Sequence, residues 1–488
     1  MGKLTEKVTK GFFWVLFEKC GIQFAHFLVT LVLARLLTPN DYGTVALLSI
    51  FISIANVFVD CGFGKALVQK KDATQTDYNT VFYLSMAFAA VLYAALFFAS
   101  PWIADFYSVP ELAPMMRILA LSLIFHSVNG VQNVELNRKM LFHLSFRISW
   151  VSTSVKAVVG IVMAYLGYGP WSLVWASLSS GICGVIARQF VIAWRPTLTF
   201  SWTSARQLFD FGWKMMVSTL VNQIYLDLQG LLIGKFYTRA DLAFVNKGKH
   251  VPSLLSNITT DSLRRVAFPA LAKLQDDPCK MRNAMRRMIR CSTFCVFPAM
   301  VMLCILAEPL VTMLYGGRWL PAVPFLQVFC FSVALRQFDV INLQGIMARG
   351  QSGTVMKLMI IRRLICLVLM ASTLHLGVFT FFWITTLVVV PIGLVMNAIP
   401  NIRSLGYTIR MQVGDVFESF LLATLMAMVL LVTVPLPFDA MVKLPFQIAL
   451  GGITYLGAAL VFKATPVAEI RKAVEPVLKM KFGGRADA

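Results

Sequence analysis

Five ionisable residues, His26, Lys156, Asp227, Lys249 and Arg336, sit deep inside long apolar runs. Such residues are costly in a bilayer unless they face a cavity or a partner. Counted inward from Thr38, Tyr168, Thr238 or Pro324, each lies 11 or 12 residues in. At 1.5 Å rise per residue that is roughly 17–18 Å, near the middle of an apolar layer about 30 Å thick. Lys247 shares the run of Lys249, and a second layer nearer the other surface holds Glu18, Lys19, Asp60 and Lys214. Cations outnumber acids at mid-depth, which suits an anionic cargo. Lys156, Lys249, Arg336, Lys19, Lys214 and Lys247 are therefore the candidate anion-binding residues, and Asp227, His26 and Asp60 the candidate charge partners or coupling groups. Structural readings stand beside these. Asp227 and Lys249 face each other across an antiparallel hairpin and can form a buried structural pair. His26 can be a hydrogen-bonded core residue. Lys214, Arg362 and Arg363 can snorkel to the inner headgroups. Glu18 and Lys19, being adjacent, point about 100° apart and cannot both face one narrow groove.

The elements that position these residues are helices. With 58% apolar residues, 14% charged residues and a mean hydropathy of +0.73, the composition is that of a polytopic membrane protein. About fourteen spans are expected: 12–37, 42–59, 80–98, 115–133, 146–166, 171–194, 209–236, 241–260, 291–314, 324–343, 355–376, 378–399, 416–434 and 445–462. The segment 241–260 is unusually polar. Cations crowd every second connection, as at Lys65, Lys70 and Lys71 or from Arg264 to Arg290, whereas 167–170 has none. Under the positive-inside rule both termini are cytoplasmic. The same distribution accounts for the net charge of +21 without nucleic acid: the basic residues form no single stripe and lie where anionic lipid headgroups would meet them.

The two halves of the chain echo one another. Ala34 to Asp41 and Gly234 to Asp241 share a cation, a Thr and an Asp at an offset of 200, and each Thr-x-x-Asp has the form of a capping box. Pro101 and Tyr107 recur as Pro309 and Tyr315, Pro114 as Pro324, and Leu166-Gly167 as Leu376-Gly377. An even number of spans per repeat makes the repeats parallel, with a central cavity between two lobes. The expected fold is an all-α integral membrane protein with a six-helix lobe over 1–205 and another over 206–405. A helix pair over 406–465 and a cytoplasmic tail over 466–488 complete it.

No enzyme signature appears. There is no Gly-rich phosphate loop followed by Lys-Ser/Thr, and Gly62-x-Gly64 lacks the third glycine and the strand context of a dinucleotide site. The five histidines are isolated. Cys291 and Cys295 lie four apart without a second pair to complete a metal site, so the nine cysteines are expected to be free and no cofactor is expected.

Three segments carry a family resemblance. Asp60-Cys61-Gly62-Phe63-Gly64-Lys65-Ala66-Leu67-Val68-Gln69-Lys70-Lys71-Asp72 resembles a D-x-G-x-x-x-A-L-x-Q-K-K-D motif. Gln223 to Asp227 with Leu232 to Phe236, and Val266 to Leu271 with Leu274 to Asp277, are similar to two further signatures. Together they resemble the polysaccharide transporter branch of the multidrug/oligosaccharidyl-lipid/polysaccharide exporter superfamily, the O-antigen and exopolysaccharide repeat-unit flippases. One departure is Leu242-Ala243, where relatives commonly carry Leu-Gly.

The resemblance implies a bacterial inner-membrane protein that moves undecaprenyl-diphosphate-linked oligosaccharide by alternating access. Its implied partners are that lipid-linked substrate, membrane lipids, and the polysaccharide polymerase and export machinery of the pathway. Moving one unpartnered hydroxyl from water to an alkane-like medium costs about 4–8 kcal/mol, so such a cargo needs a polar path with cations for its diphosphate. Two alternatives remain open here. A polymerase or ligase would usually carry a large outer loop, and every outer connection here is short. A cation-coupled drug exporter would want a carboxylate-rich pocket.

Overall fold

The structure, a computed structural model, describes residues 21, 23–70, 72–138, 141–192, 194–435 and 440–469. Among the described residues the regular elements are all helical. The first half contains α1 (Gln23–Leu36), α2 (Pro39–Asp60), α3 (Phe63–Gln69), α4 (Gln75–Tyr107), α5 (Leu112–Leu119), α6 (Ser122–Arg138), α7 (Phe142–Tyr165), α8 (Trp171–Val191) and α9 (Trp202–Phe236). The rest contains α10 (Arg239–Ala272), α11 (Pro278–Ile305), α12 (Ala307–Tyr315), α13 (Val323–Ala348), α14 (Ser352–Thr373), α15 (Val378–Leu405), α16 (Ile409–Thr433) and α17 (Ala440–Val461). Among the described residues, ten helical segments are long and apolar enough to cross a membrane. The expected segments on α1, α9, α10 and α14 are not among the ten. Helix α1 is described only from Gln23, while α9, α10 and α14 hold Lys214, Asp227, Lys247, Lys249, Arg362 and Arg363. These polar residues lower the hydropathy of α9, α10 and α14.

Local chemistry explains where these helices begin and end. Thr38 caps α2: its hydroxyl accepts from Asp41 N–H at 3.3 Å, and the Asp41 carboxylate accepts from Thr38 N–H at 2.8 Å. Thr238 and Asp241 repeat the arrangement at 3.1 Å in both directions. Both expected capping boxes thus form, and Thr74 with Asp77 makes a third at the start of α4. Asp277 caps α11, and the Lys280 N–H that it receives holds its carboxyl below the usual range. Tyr107 closes α4 and Tyr315 closes α12, as the repeat places them.

The chain divides into two compact units after Ala243. In the first, α7 lies along α8, α2 along α9, and α4 along α6. The α2–α3 corner is pressed onto α9 backbone to backbone. A Cβ on Gly62 would stand 2.4 Å from Gly212 O, and one on Gly212 would stand 2.6 Å from Cys61 O. Gly62 also has φ +69, a conformation that favours glycine. The Gly of the D-x-G motif is therefore required twice over.

In the second unit, α11 packs on α13 and α16. Asp415, 1% exposed, accepts from Arg286 Nε and Nη2 at 2.9–3.1 and 2.8 Å, from Arg290 Nη2 at 2.6 Å and from the Tyr407 hydroxyl at 2.9 Å. Burial, then the neighbouring carboxylate, pushes the Tyr407 phenol well above the ordinary tyrosine range, so it remains a donor. This clasp fastens α16 to α11. The eight cysteines among the described residues are free. Phe98, Trp102, Phe190 and Leu456 are exposed, the apolar outer surface that lipid would cover.

Candidate functional site

The first unit carries an open cavity of about 530 Å³ where α2, α4, α6 and α9 meet. Asp60, Ser85, His126, Asn133, Met216 and Thr219 are among its lining residues. Asp60 is the last residue of α2, placed there because Cys61 turns to φ +41 and ends the helix. Its carboxylate meets His126 Nε2 of α6 at 2.9 Å. The pair is half-exposed, so it borders the cavity with water access and its charge depends on whether His126 is protonated. By the expected topology Asp60 lies at the cytoplasmic end of its span.

Two further polar clusters lie in the same unit. Asp227 of α9 accepts from Ser53 Oγ of α2 at 2.5 Å and from Gln223 Nε2 at 2.8 Å. The motif residues Gln223 and Asp227 therefore act together, one turn apart on α9, against α2. On α7, Thr153 Oγ1 lies 3.5 Å from His26 Nε2 of α1, and Lys156 stands close enough to act on that imidazole electrostatically. Lys156 is half-buried.

Residues of the second unit are placed as follows. Lys249 and Arg336 are exposed in the structure, each with interactions of its own. Lys247 is 6% exposed, its ammonium 5.3 Å from the Tyr315 ring centroid and 5.4 Å from that of Trp319. That seat gives it a cation–π partner away from open space. Arg362 Nη1 donates to Asp339 Oδ2 at 2.6 Å, and Asn397 also donates to that carboxylate. The expected span began at 355, which put Arg362 close to the inner surface. Helix α14 begins at Ser352, three residues earlier. Lys214 lies on α9 by position, and Lys19 and Glu18 fall outside the described residues.

Sequence reading missed several groups at this site. His126 looked like an isolated histidine because its partner is 66 residues away. Arg188 was not singled out in the sequence, yet Nη1 donates to Asn129 Oδ1 at 2.7 Å and Nη2 to Asn133 Oδ1 at 3.0 Å. The signal that could have found it is the amide pair Asn129 and Asn133, one turn apart in an apolar segment. Among the described residues no cluster of three or more His, Cys, Asp or Glu could hold a metal ion. The cavity wall is mainly apolar, from Val57, Val59, Val81 and Met216, with Asp60, Ser85, His126, Asn133 and Thr219 as polar groups on it.

Comparison with known proteins gives the family and the fold. Residues 32–324 match the family model described as polysaccharide biosynthesis protein. The teichuronic acid biosynthesis protein TuaB of Bacillus subtilis (strain 168) is 25% identical over 479 residues, covering 96% of this chain and 97% of its own. The succinoglycan biosynthesis transport protein ExoT of Rhizobium meliloti (strain 1021) is 26% identical over 326 residues, 67% of this chain and 66% of its own. The lipopolysaccharide biosynthesis protein WzxC of Escherichia coli (strain K12) is 23% identical over 339 residues, 68% of each. Among solved structures, the lipid II flippase MurJ in an inward closed conformation superposes with a TM-score of 0.72 at 14% identity, over 92% of this chain and 99% of that one. An inward-facing multidrug resistance MATE family transporter of the MOP superfamily gives 0.62 at 14% identity, over 80% and 96%. These two likenesses establish the fold.

Proposed function

Because the chain belongs to the polysaccharide biosynthesis protein family, we propose that it is an inner-membrane flippase for undecaprenyl-diphosphate-linked oligosaccharide repeat units. The observation that carries this reading is the family match over residues 32–324 in a chain with the fold of a lipid II flippase. Polysaccharide biosynthesis needs a hydrophilic precursor moved across an apolar layer, and each unpartnered hydroxyl resists that move by about 4–8 kcal/mol. The protein supplies a polar route while the polyprenyl tail stays in lipid. It does so without being an enzyme, by alternating access of a cavity between two six-helix lobes, 1–205 and 206–405, within a fourteen-span topology.

In this proposal Lys156, Lys249 and Arg336 form the cationic layer for the diphosphate, with Lys19 and Lys214 below it. At an effective dielectric near 20, a contact at 4 Å is worth about 4 kcal/mol before desolvation is subtracted. His26, Asp60 and Asp227, the last met by Ser53 and Gln223, are the charge partners or coupling groups beside this layer. Lys247, held over two rings, contributes less to the layer.

Cells lacking the protein test the reading. Lipid-linked repeat units are expected to accumulate while mature polysaccharide is lost. Loss of the precursor itself would point to an enzyme of synthesis instead.

A further inference from the structure

The internal duplication has left the same guanidinium niche in each unit, with one difference in charge. On α15, a Cβ added to Gly393 would stand 3.1 Å from Arg362 Nη1, so the glycine makes room for the guanidinium that Asp339 of α13 receives. Asn397, one turn further along α15, donates to the same carboxylate. On α8, a Cβ on Gly184 would stand 2.9 Å from Arg188 Nη1 and 3.4 Å from Ser152 Oγ, and Asn129 of α6 receives the guanidinium at 2.7 Å. Asn129 and Asp339 are 210 residues apart, as are Ser152 and Arg362; Gly184 and Gly393 are 209 apart, as are Arg188 and Asn397. These lie within one residue of the 210 that separates Pro114 from Pro324 and Gly167 from Gly377. The arginine has changed helix between the copies, and the acceptor has changed from carboxylate to neutral amide.

The difference matters because Arg188 is an arginine inside a membrane-spanning helix with no opposing charge among its hydrogen-bond partners. These are Asn129 Oδ1, Asn133 Oδ1 and Gly184 O, all neutral. The Gly184 carbonyl lies one turn back along α8, so the side chain folds away from the helix end instead of reaching for headgroups. Its Nε and the neighbouring Ser152 Oγ are buried without a partner. Asn133 lines the cavity of the first unit, which puts the guanidinium one hydrogen bond behind the cavity wall. Asp60, the acid among the lining residues, is engaged by His126.

We propose that Arg188, with Asn129 and Asn133, is an anion-binding subsite of the first unit that takes a diphosphate ester from the cavity, the Asn133 amide giving way to the incoming phosphate oxygens. A planar guanidinium held by neutral amides keeps its charge and its fork for such a ligand. The matching niche in the second unit is already filled by Asp339. This inference rests on the proposed function and adds a binding residue to it.

The test measures binding of farnesyl diphosphate to the purified full-length protein by calorimetry, with inorganic pyrophosphate and phosphatidylglycerol vesicles as competitors. Asn129→Asp gives the first unit the carboxylate that the second unit already carries, so it neutralises Arg188 without emptying the niche. Arg188→Gln removes the charge and keeps an amide. Both variants are expected to bind farnesyl diphosphate about tenfold more weakly or worse, the loss of one charge-assisted contact. Asn129→Asp should leave the unfolding temperature unchanged or raised. A purely structural arginine predicts the reverse: undiminished binding in Asn129→Asp, which would overturn the subsite. Unchanged binding in folded Arg188→Gln would overturn it equally. Competition by pyrophosphate supports recognition of the diphosphate, and competition by phosphatidylglycerol alone would assign the niche to bulk lipid and overturn the proposal. If wild-type protein binds neither diphosphate, the proposed function itself fails.

Discussion

Lys156 shows how much a single residue reveals through its place in the chain. Its depth follows from counting along an apolar run, and its neighbour His26 has the same depth by the same count. Their meeting across α1 and α7, with Thr153 against the imidazole, is then a matter of two helices packing at matched height. Arg188 and Asp339 were not legible in this way. A cation near a helix end reads as a snorkelling residue unless the partner that turns it inward is known, and Asn129 and Asn133 are more than fifty residues away. For the cationic layer, Lys156→Ala and Arg336→Ala should each reduce polysaccharide export at least about tenfold at normal membrane abundance, because each removes a contact worth up to several kcal/mol in a partly dehydrated site. Lys156→Arg should be milder. Asp227→Asn should still export in part, since Ser53 and Gln223 remain to meet a neutral side chain. Normal export by both alanine variants would remove this layer from the binding site.

At the scale of elements, the capping boxes were readable because each lies within four residues. The α2–α3 corner was not, since the reason for its glycine lies on α9, 150 residues further on. Gly62→Ala is expected to destabilise the first unit in two ways. A left-handed φ costs a non-glycine residue about 1–2 kcal/mol, and the added methyl must push Gly212 backbone aside. The corner also sets Asp60 against His126, so the variant should lose both membrane abundance and transport. Thermal unfolding of purified protein, read alongside export, checks this. An alanine variant as stable and active as wild type would show that the close approach is not needed. Hydropathy was least informative for α9, α10 and α14, whose charges keep them out of the ten apolar segments.

For the whole molecule, the alternating loop charges set the expected sidedness. A single cysteine introduced at Gly169 in a cysteine-free background should react with an impermeant thiol reagent from outside intact cells, and one at Lys280 only after the inner face is opened. The reverse pattern would invert the topology and with it the direction assigned to Asp60 and His126. The repeat was visible in sequence as scattered prolines and tyrosines. Its chemistry became visible only in the paired niches of Arg188 and Arg362, where related positions carry different residue types. The central claim is translocation, and the most direct measurement uses vesicles containing the purified protein and a polyprenyl-diphosphate oligosaccharide labelled with a fluorophore on the sugar. An impermeant quencher reaches only the outer leaflet, so protein-free vesicles lose about half of the signal. With the protein, with or without an imposed proton or sodium gradient, quenching should proceed towards completion. Quenching that stops at half in vesicles holding folded protein, under every gradient, would contradict the account.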